Sequence, residues 1–227
     1  MIILNERVDS GVSRETLERL RAIPPATIGH MLDFGFMDVA LRPIGKRVSL
    51  CGPAVTVRCM AIDGAVVYAA IEAARPGDVI VVDRNGDTMH APWGEMTSLF
   101  AQARGVAGAV IDGAVTDIVE IEELRFPVFA RGVSPITTKA LAVSGEVNTT
   151  VQCGGVVVRP GDIVHGDDNG LLVLPPEILD EVIARCEPRA RREPEWRERL
   201  RAGESLLDLT GARQKLLANA ETGRKVD

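Results

Sequence analysis

Two aspartates, Asp112 and Asp117, lie in the segment GVAGAVIDGAVTDIVEI at residues 105–121. The small and β-branched residues predict a strand over 108–112, and the residues after it predict a helix over 116–125. A carboxylate at such a junction is a hard oxygen ligand suited to Mg²⁺ with several retained waters. Two structural alternatives stay open: Asp117 complements the helix dipole, and Asp112 caps the loop after its strand.

A second reactive segment is GEMT, which starts at Gly94 and opens a predicted helix over 94–104. Glycine removes side-chain bulk at a helix N-terminus, where free N–H groups attract an anion such as a carboxylate. Beside a cation held by Asp117, such a site would bind a 2-oxo acid. It would stabilise an enolate, the intermediate shared by aldol cleavage and oxo-acid decarboxylation. Glu95 also has a purely structural explanation as an acidic residue near a helix start.

Other residue types offer less chemistry. His30, His90 and His165 have no mutual metal-ligand spacing, so each is interpreted as an isolated polar residue. The four cysteines form no CxxC pair, which indicates reduced, buried thiols in a cytosolic protein. The chain shows no Ser–His–Asp order, no P-loop and no GxGxxG fingerprint.

The elements that must position these residues alternate between strand and helix. A parallel sheet is therefore expected, with ligands bound beyond the carboxyl ends of its strands. The predicted strands cover 53–60, 79–83, 108–112 and 127–130, and the predicted helices cover 63–74, 94–104 and 116–125.

The flanking segments differ from this pattern. Two helices are predicted before the sheet, over 13–23 and from Pro25 to a stop at Gly35, and Asn169-Gly170 is a hairpin signal within 156–175. From Pro176 onward the chain is predicted to be helical. The expected pieces are a first helix interrupted by Pro188 and Pro194, then 195–202 and 206–220.

Length and charge narrow the class of protein. A chain of 227 residues is expected to form one sizeable domain, or one domain with an appended helical tail. Its net charge of −6 argues against a nucleic-acid surface, because binding to phosphates requires the opposite sign. No apolar run approaches the roughly 20 residues of a membrane span, and the N-terminus lacks a signal-peptide pattern. A soluble cytoplasmic protein without membrane or nucleic-acid partners is expected.

Two segments resemble a known family. WGEMTSLFAQARGVAGAVIDGAVTDIVEIEELRFPVFARGVSP (93–135) and GGVVVRPGDIVHGDDNGLLVLP (154–175) resemble the RraA-like superfamily. That group contains the regulator of ribonuclease E activity and the 4-hydroxy-4-methyl-2-oxoglutarate/4-carboxy-4-hydroxy-2-oxoadipate aldolases. The resemblance implies a swivelling β/β/α fold over residues 1–175. It also implies a helical extension over 176–227, and a homotrimer or hexamer with sites between subunits.

The resemblance also implies roles for particular residues. Asp117 matches the carboxylate that holds Mg²⁺ or Mn²⁺, and Glu95 matches an acidic residue near the catalytic water. The segment whose backbone amides hold the pyruvyl carboxylate corresponds to Gly94, Glu95, Met96 and Thr97.

A further acidic residue is implied in the extension. Glu193, four residues before Arg197, matches the residue that a neighbouring subunit contributes to the site. Pro194 disturbs the predicted helix at this point, which weakens that alignment.

Thr116 departs from the aldolase pattern. The aldolases carry arginine immediately before the metal aspartate, where it contacts substrate and stabilises developing negative charge. Threonine occupies this substrate-binding and catalytic position here, and Arg58, Arg84 or Arg131 are the alternative sources of charge. The expected function is a divalent-metal-dependent lyase acting on a 4-hydroxy-2-oxo acid or related 2-oxo acid. The alternative is a regulator that binds a ribonuclease or another protein.

Overall fold

The computed structural model describes residues 1–221. The strands in that range are β1 (Ile2–Leu4), β2 (Arg42–Pro43), β3 (Ser49–Arg58), β4 (Val79–Asp83), β5 (Gly108–Val115), β6 (Val128–Val133), β7 (Gly145–Val147), β8 (Val151–Cys153), β9 (Val156–Val158), β10 (Ile163–Asp167) and β11 (Gly170–Leu174). The helices are α1 (Arg14–Arg21), α2 (Pro25–Ile28), α3 (Ala65–Ala73), α4 (Glu95–Ala103), α5 (Ile118–Leu124), α6 (Leu179–Arg201), α7 (Leu206–Leu209) and α8 (Ala212–Glu221), with a 3₁₀ turn at Pro176–Ile178.

The central sheet has the strand order β1-β7-β3-β4-β5-β6-β2. Within it, β3, β4, β5 and β6 are parallel neighbours joined through α3, α4 and α5. Every residue of β4 is buried, as its continuous apolar run predicted, because both faces of the sheet are covered. The predicted α/β class and the alternation of strand and helix are confirmed.

Alternate residues of β4 enter two separate cores. Ile80 and Val82 pack with α3, α4 and α5, where Trp93 stacks on Phe126 with ring centroids 6.2 Å apart. Their neighbours in β4 face the opposite side, which is covered by the β8–β9 pair and by β10 and β11. β10 and β11 form the hairpin predicted at Asn169-Gly170, and β10 also pairs antiparallel with β3.

Several predicted boundaries were wrong. β3 starts at Ser49 and not at residue 53, and the helix expected over 206–220 is divided into α7 and α8. β5 continues to Val115, past the expected end at 112, because the chain stays paired with β6 after a register shift between Ile111 and Ala114. Helix α2 stops at Ile28, before the expected Gly35. At Gly35 the backbone carbonyl accepts the N–H of Val173 in β11 at 2.8 Å, so the chain here lies against a strand and does not continue the helix.

Helix α6 is longer than predicted. Pro188 and Pro194 lie inside α6, whereas the sequence pattern indicated breaks at both. An interior proline costs roughly 3 kcal/mol because it removes a hydrogen bond and clashes with the preceding turn. Both prolines lie on the exposed side of α6, while Val182 and Ile183 on the opposite side are buried against α1 and the hairpin. The helix continues through both prolines, and its first half packs on the core.

The division into a core of residues 1–175 and an extension of 176–227 stays a prediction, and residues 222–227 lie outside the described residues. The first half of α6 packs on its own core. Among residues 1–221, no helix combines the length and the apolar character needed to cross a membrane. The four cysteines are unpaired and buried.

Candidate functional site

The start of α4 contacts the junction between β5 and α5. The backbone N–H of Glu95 donates to Oδ2 of Asp117 at 3.0 Å, and the N–H of Thr116 donates to the Trp93 carbonyl at 2.9 Å. These bonds join the carboxyl ends of β4 and β5, which are parallel neighbours. The segment that begins at Gly94 and the carboxylate of Asp117 therefore lie side by side.

Gly94 is required by this contact. A Cβ built at residue 94 would overlap Oδ2 of Asp117 and lie 2.7 Å from Cγ2 of Thr116. Real Cβ contacts are not this short, so any side chain here would push the two segments apart. Glycine lets the backbone of α4 approach the carboxylate directly.

Two backbone N–H groups at the start of α4 are available to an anion. The hydroxyl of Thr97 closes the helix start, since it accepts the Gly94 N–H at 2.8 Å and donates to the Gly94 carbonyl at 2.9 Å. Within residues 1–221, no acceptor receives the backbone N–H of Met96 or Thr97. Free N–H groups at a helix N-terminus, together with its dipole, favour a bound anion.

Asp117 has a left-handed backbone conformation, with φ 53° and ψ 45°. For a residue with a side chain, such a conformation costs of order 1–3 kcal/mol. Asp117 precedes α5 and does not cap it, because its side chain accepts no bond from that helix. The conformation turns the carboxylate towards α4, where Oδ1 also accepts the hydroxyl of Thr116 at 3.1 Å.

Asp112 lies outside this site. It does not cap the loop after its strand either, so that predicted role was wrong. It lies inside β5 and is 7% exposed, and its carboxylate pairs with the guanidinium of Arg131. Oδ2 also accepts the N–H of Gly154 at 2.8 Å. Arg131 donates in addition to Asp38, at 2.8 Å, and this hydrogen bond lowers the pKa of Asp38. Asp112 thus fixes β5 to its neighbours, and Asp117 alone faces α4.

The loop between β4 and α4 contains a cluster that the sequence interpretation missed. His90 is not isolated, because its Nδ1 lies 2.9 Å from Oδ2 of Asp87. The same Oδ2 accepts a 2.8 Å hydrogen bond from the buried guanidinium of Arg84. The only signal in the sequence is the Asp-x-x-His spacing, which is too common to indicate a site by itself.

Glu193 lies on α6, away from these contacts within one chain. Its Oε1 accepts the hydroxyl of Thr27 at 2.7 Å, and its Oε2 is 3.3 Å from a nitrogen of Arg197. None of its hydrogen bonds reaches Asp117 or the start of α4. Its predicted role at the site of a neighbouring subunit stays a prediction.

Comparison with known proteins identifies the fold family. A family model described as RraA-like (Aldolase/RraA) matches residues 27–173. The chain belongs to the RraA-like family. The matched range contains the whole Gly94–Asp117 contact and ends before α6.

RraA-like relatives of this chain have more than one description. A Halalkalibacterium halodurans protein named "Putative 4-hydroxy-4-methyl-2-oxoglutarate aldolase" is 35% identical over 81% of this chain and 87% of its own length. The RNA-processing inhibitor RraA from Thermus thermophilis is 31% identical, with a TM-score of 0.57 over 62% of this chain and 84% of its own. An uncharacterized Pseudomonas syringae protein, 24% identical with a TM-score of 0.77, shares the fold over 93% of this chain and 97% of its own.

Arg58, Arg84 and Arg131, the candidates to supply the charge that Thr116 lacks, are not free. Their guanidinium groups are all bound by acceptors of the same chain. Arg58 binds Glu146 and the Thr150 carbonyl, Arg84 binds Asp87 and the carbonyls of Cys59 and Ala61, and Arg131 binds Asp38 and Asp112. None of these bonds involves Asp117 or the start of α4.

The protein donors for a metal ion are few. Across the described part of the chain, no three His, Cys, Asp or Glu side chains converge to hold a metal ion. Mg²⁺ requires less than this, since it commonly binds one or two carboxylates and keeps several waters. The exposed Asp117 carboxylate, beside free backbone N–H groups, fits a hydrated cation that shares its coordination with a substrate.

Proposed function

We propose that this RraA-like chain is a divalent-metal-dependent lyase of the pyruvate aldolase or oxo-acid decarboxylase type. Its substrate would be a 4-hydroxy-2-oxo acid or a related 2-oxo acid. The observation that carries the proposal is the position of two free backbone N–H groups, those of Met96 and Thr97, beside the carboxylate of Asp117. A 2-oxo acid presents a carboxylate and a keto oxygen at adjacent carbons, which suits an anion site next to a cation site.

In this proposal Asp117 holds Mg²⁺ or Mn²⁺. A bound cation of this kind polarises a keto oxygen and stabilises negative charge on it as a C–C bond breaks. Asp117 is oriented for the role before any ligand arrives, because the Glu95 N–H and the Thr116 hydroxyl each hold one of its oxygens.

The other site residues bind and orient the substrate. The N–H groups of Met96 and Thr97 receive the substrate carboxylate, while the Thr97 hydroxyl and Gly94 fix the backbone that presents them. Thr116 is uncharged, and loss of one charge-stabilising donor typically lowers the rate by about 10²–10³. Slow catalysis, or a substrate that demands less charge stabilisation, is therefore expected.

Assembly completes the proposed site. Glu193 bonds within its own chain to α2, with no bond to Asp117, so in this proposal it acts at the site of a neighbouring subunit in a homotrimer or hexamer. Glu95 lies at the start of α4 and would face the water nearest the reacting carbons.

The direct test measures oxaloacetate decarboxylation and cleavage of 4-hydroxy-4-methyl-2-oxoglutarate with Mg²⁺ or Mn²⁺, corrected for the metal alone. We expect activity that a chelator removes and that Asp117→Asn abolishes without unfolding. Asparagine is isosteric and tolerates the left-handed conformation. Activity that persists in Asp117→Asn, or that needs no metal, would contradict the proposal.

The alternative function is regulation by binding to a ribonuclease or another protein. It is favoured by the absence of the aldolase arginine at Thr116 and by the likeness to the Thermus inhibitor. A ribonuclease activity assay with increasing amounts of this chain tests it. Inhibition at near-stoichiometric ratios in both wild type and Asp117→Asn would favour the regulator.

A further inference from the structure

The loop between β4 and α4 carries a histidine that is oriented by a carboxylate and an arginine. We propose that the second ring nitrogen of His90, Nε2, is the proton donor and acceptor of the candidate site. The inference rests on the proposed lyase function and adds a residue to it.

Asp87 is an ionised acceptor. Its Oδ1 accepts the N–H groups of Met89 at 2.8 Å and His90 at 3.1 Å. Burial alone would raise the pKa of Asp87, but these backbone bonds, the His90 ring and the charge of Arg84 lower it to about 2. An ionised carboxylate can only accept, so the Nδ1 of His90 carries a proton towards Asp87. Nε2 is then the nitrogen left for chemistry.

Arg84 makes this arrangement rigid. Its side chain is fully buried, and it donates to the carbonyl oxygens of Cys59 and Ala61, both at 2.6 Å, as well as to Asp87. Its Nε has no partner among residues 1–221. The absence of a side chain at Gly113 in β5 makes room for Arg84, because a Cβ there would lie 2.6 Å from its Cγ. Because both terminal nitrogens of this buried arginine are hydrogen-bonded, Arg84 holds the Asp87 carboxylate in a fixed position.

The path of the loop brings His90 to the edge of the sheet that carries Asp117. Ala91 bonds to Ile136 through its N–H, and the Trp93 carbonyl accepts the N–H of Thr116. Four residues of chain span at most about 14 Å, which is the upper limit on the distance between the Cα atoms of His90 and Gly94. Ala91 and Trp93 are buried, whereas the His90 side chain is 30% exposed.

The proposed proton transfer is balanced for oxaloacetate. Cleavage of the C3–C4 bond releases CO₂ and leaves the electron pair on the pyruvate enolate. A proton from Nε2 of protonated His90 forms the new C3–H bond, which gives pyruvate and neutral His90, and water reprotonates the ring. For a 4-hydroxy-2-oxo acid, neutral His90 removes the proton of the 4-hydroxyl as the C3–C4 bond breaks, which releases C4 as a carbonyl product and leaves the electron pair on the pyruvate enolate. Protonated His90 then returns the proton to C3.

The competing explanation is that the Asp87–His90 pair only closes the loop. Among residues 1–221, the charged or titratable side chains hydrogen-bonded into this cluster are Arg84 on the same loop and Cys59 after β3. Gly113 of β5 and Thr137, which bridges to Ala91, contribute none. A proton-transfer role requires Nε2 of His90, whereas a loop-closing role requires only Nδ1.

His90→Asn separates the two roles. The asparagine amide nitrogen takes the place of Nδ1 and can keep the bond to Asp87, while the position of Nε2 is lost. The matched control is His30→Asn, because His30 is exposed and has no hydrogen bond among the described side chains. Metal-dependent decarboxylation of oxaloacetate and melting temperature are measured for wild type and both variants.

We expect His90→Asn to lower kcat by about 10²–10⁴, with little change in KM or melting temperature. His30→Asn should match wild type. Asp87→Asn, which leaves the ring unoriented, should give an intermediate loss.

Each other outcome is decisive. An active wild type with an equally active His90→Asn overturns the role of His90 and leaves the lyase proposal intact. A wild type inactive on both substrates with either metal overturns the lyase proposal, and this inference with it. If His90→Asn melts early, Asp87→Asn decides: activity equal to wild type in that variant would overturn the role of His90.

Discussion

The backbone N–H of Glu95 donates a 3.0 Å hydrogen bond to Oδ2 of Asp117, so the first turn of α4 is tied to the residue before α5. The carboxylate of Asp117 thereby joins the start of α4 to the start of α5, through two residues that are 22 positions apart in sequence. Because Oδ1 receives only the Thr116 hydroxyl and the residue is exposed, the carboxylate remains open to a cation.

Gly94→Ala should damage the site. Its Cβ would overlap Oδ2 of Asp117, so α4 and the start of α5 must separate, at a cost of about 1–3 kcal/mol in the free energy of unfolding. Metal-dependent activity should fall more than the melting temperature suggests. Gly132→Ala is the matched control, because nothing lies within 4 Å of its Cβ position. A Gly94→Ala enzyme as stable and active as wild type would show that the contact is not required.

Thr116→Arg should increase activity. A guanidinium beside Asp117 could restore part of about 3–4 kcal/mol of transition-state stabilisation. A gain in the rate of oxaloacetate decarboxylation should be seen before any gain in the rate of aldol cleavage, because the smaller substrate demands less of the rest of the site. Thr116→Lys is the control, since lysine adds charge without the two parallel donors of arginine. If Thr116→Arg gains nothing on either substrate, the site has been rebuilt for other chemistry and the lyase proposal fails.

Two inactive variants should complement each other if the site lies between subunits. Asp117→Asn and Glu193→Gln, co-expressed in equal amounts, would assemble with about a quarter of the sites carrying both wild-type residues. Recovered activity, with a trimer or a multiple of it seen by light scattering, is the expected result. A monodisperse monomer, or a mixture no more active than its components, would refute the role of Glu193 in trans.

Asp63→Asn should destabilise the loop after β6. The Asp63 carboxylate is 2% exposed and accepts the N–H groups of residues 141–144 and of Ala65. Burial alone would raise its pKa, but these bonds lower it to about 2. We expect a loss of about 1–3 kcal/mol, because an amide cannot accept all of these bonds.

The pH dependence of Asp63 has a definite sign. Since the folded-state pKa is lowered, its stabilisation is fully present above the unfolded value near 3.8 and is lost as the pH falls towards 2. Denaturant unfolding of wild type and Asp63→Asn from pH 7 to 2 should therefore show curves that converge at low pH. Asp33→Asn, at an exposed site, is the control. A constant gap across this range would assign the loss to geometry alone.

The sequence alone determined the α/β class, the parallel strands and the proximity of the Gly94 segment to Asp117. These follow from local patterns: the period of apolar residues defines strands and helices, and parallel strands place their carboxyl ends at one edge. The unusual Thr116 was likewise visible from the sequence.

Only the tertiary structure decided the partner of each charged side chain. Asp112 and Asp117 have similar local sequence contexts, yet β-strand register turns one towards Arg131 and the conformation of the other turns it towards α4. The buried Arg84, which orients Asp87 and His90, and the continuous α6 across two prolines likewise depend on packing between distant segments. Apolar burial of about 1.5–3 kcal/mol per side chain outweighs the tenths of a kcal/mol by which ordinary residues differ in local propensity.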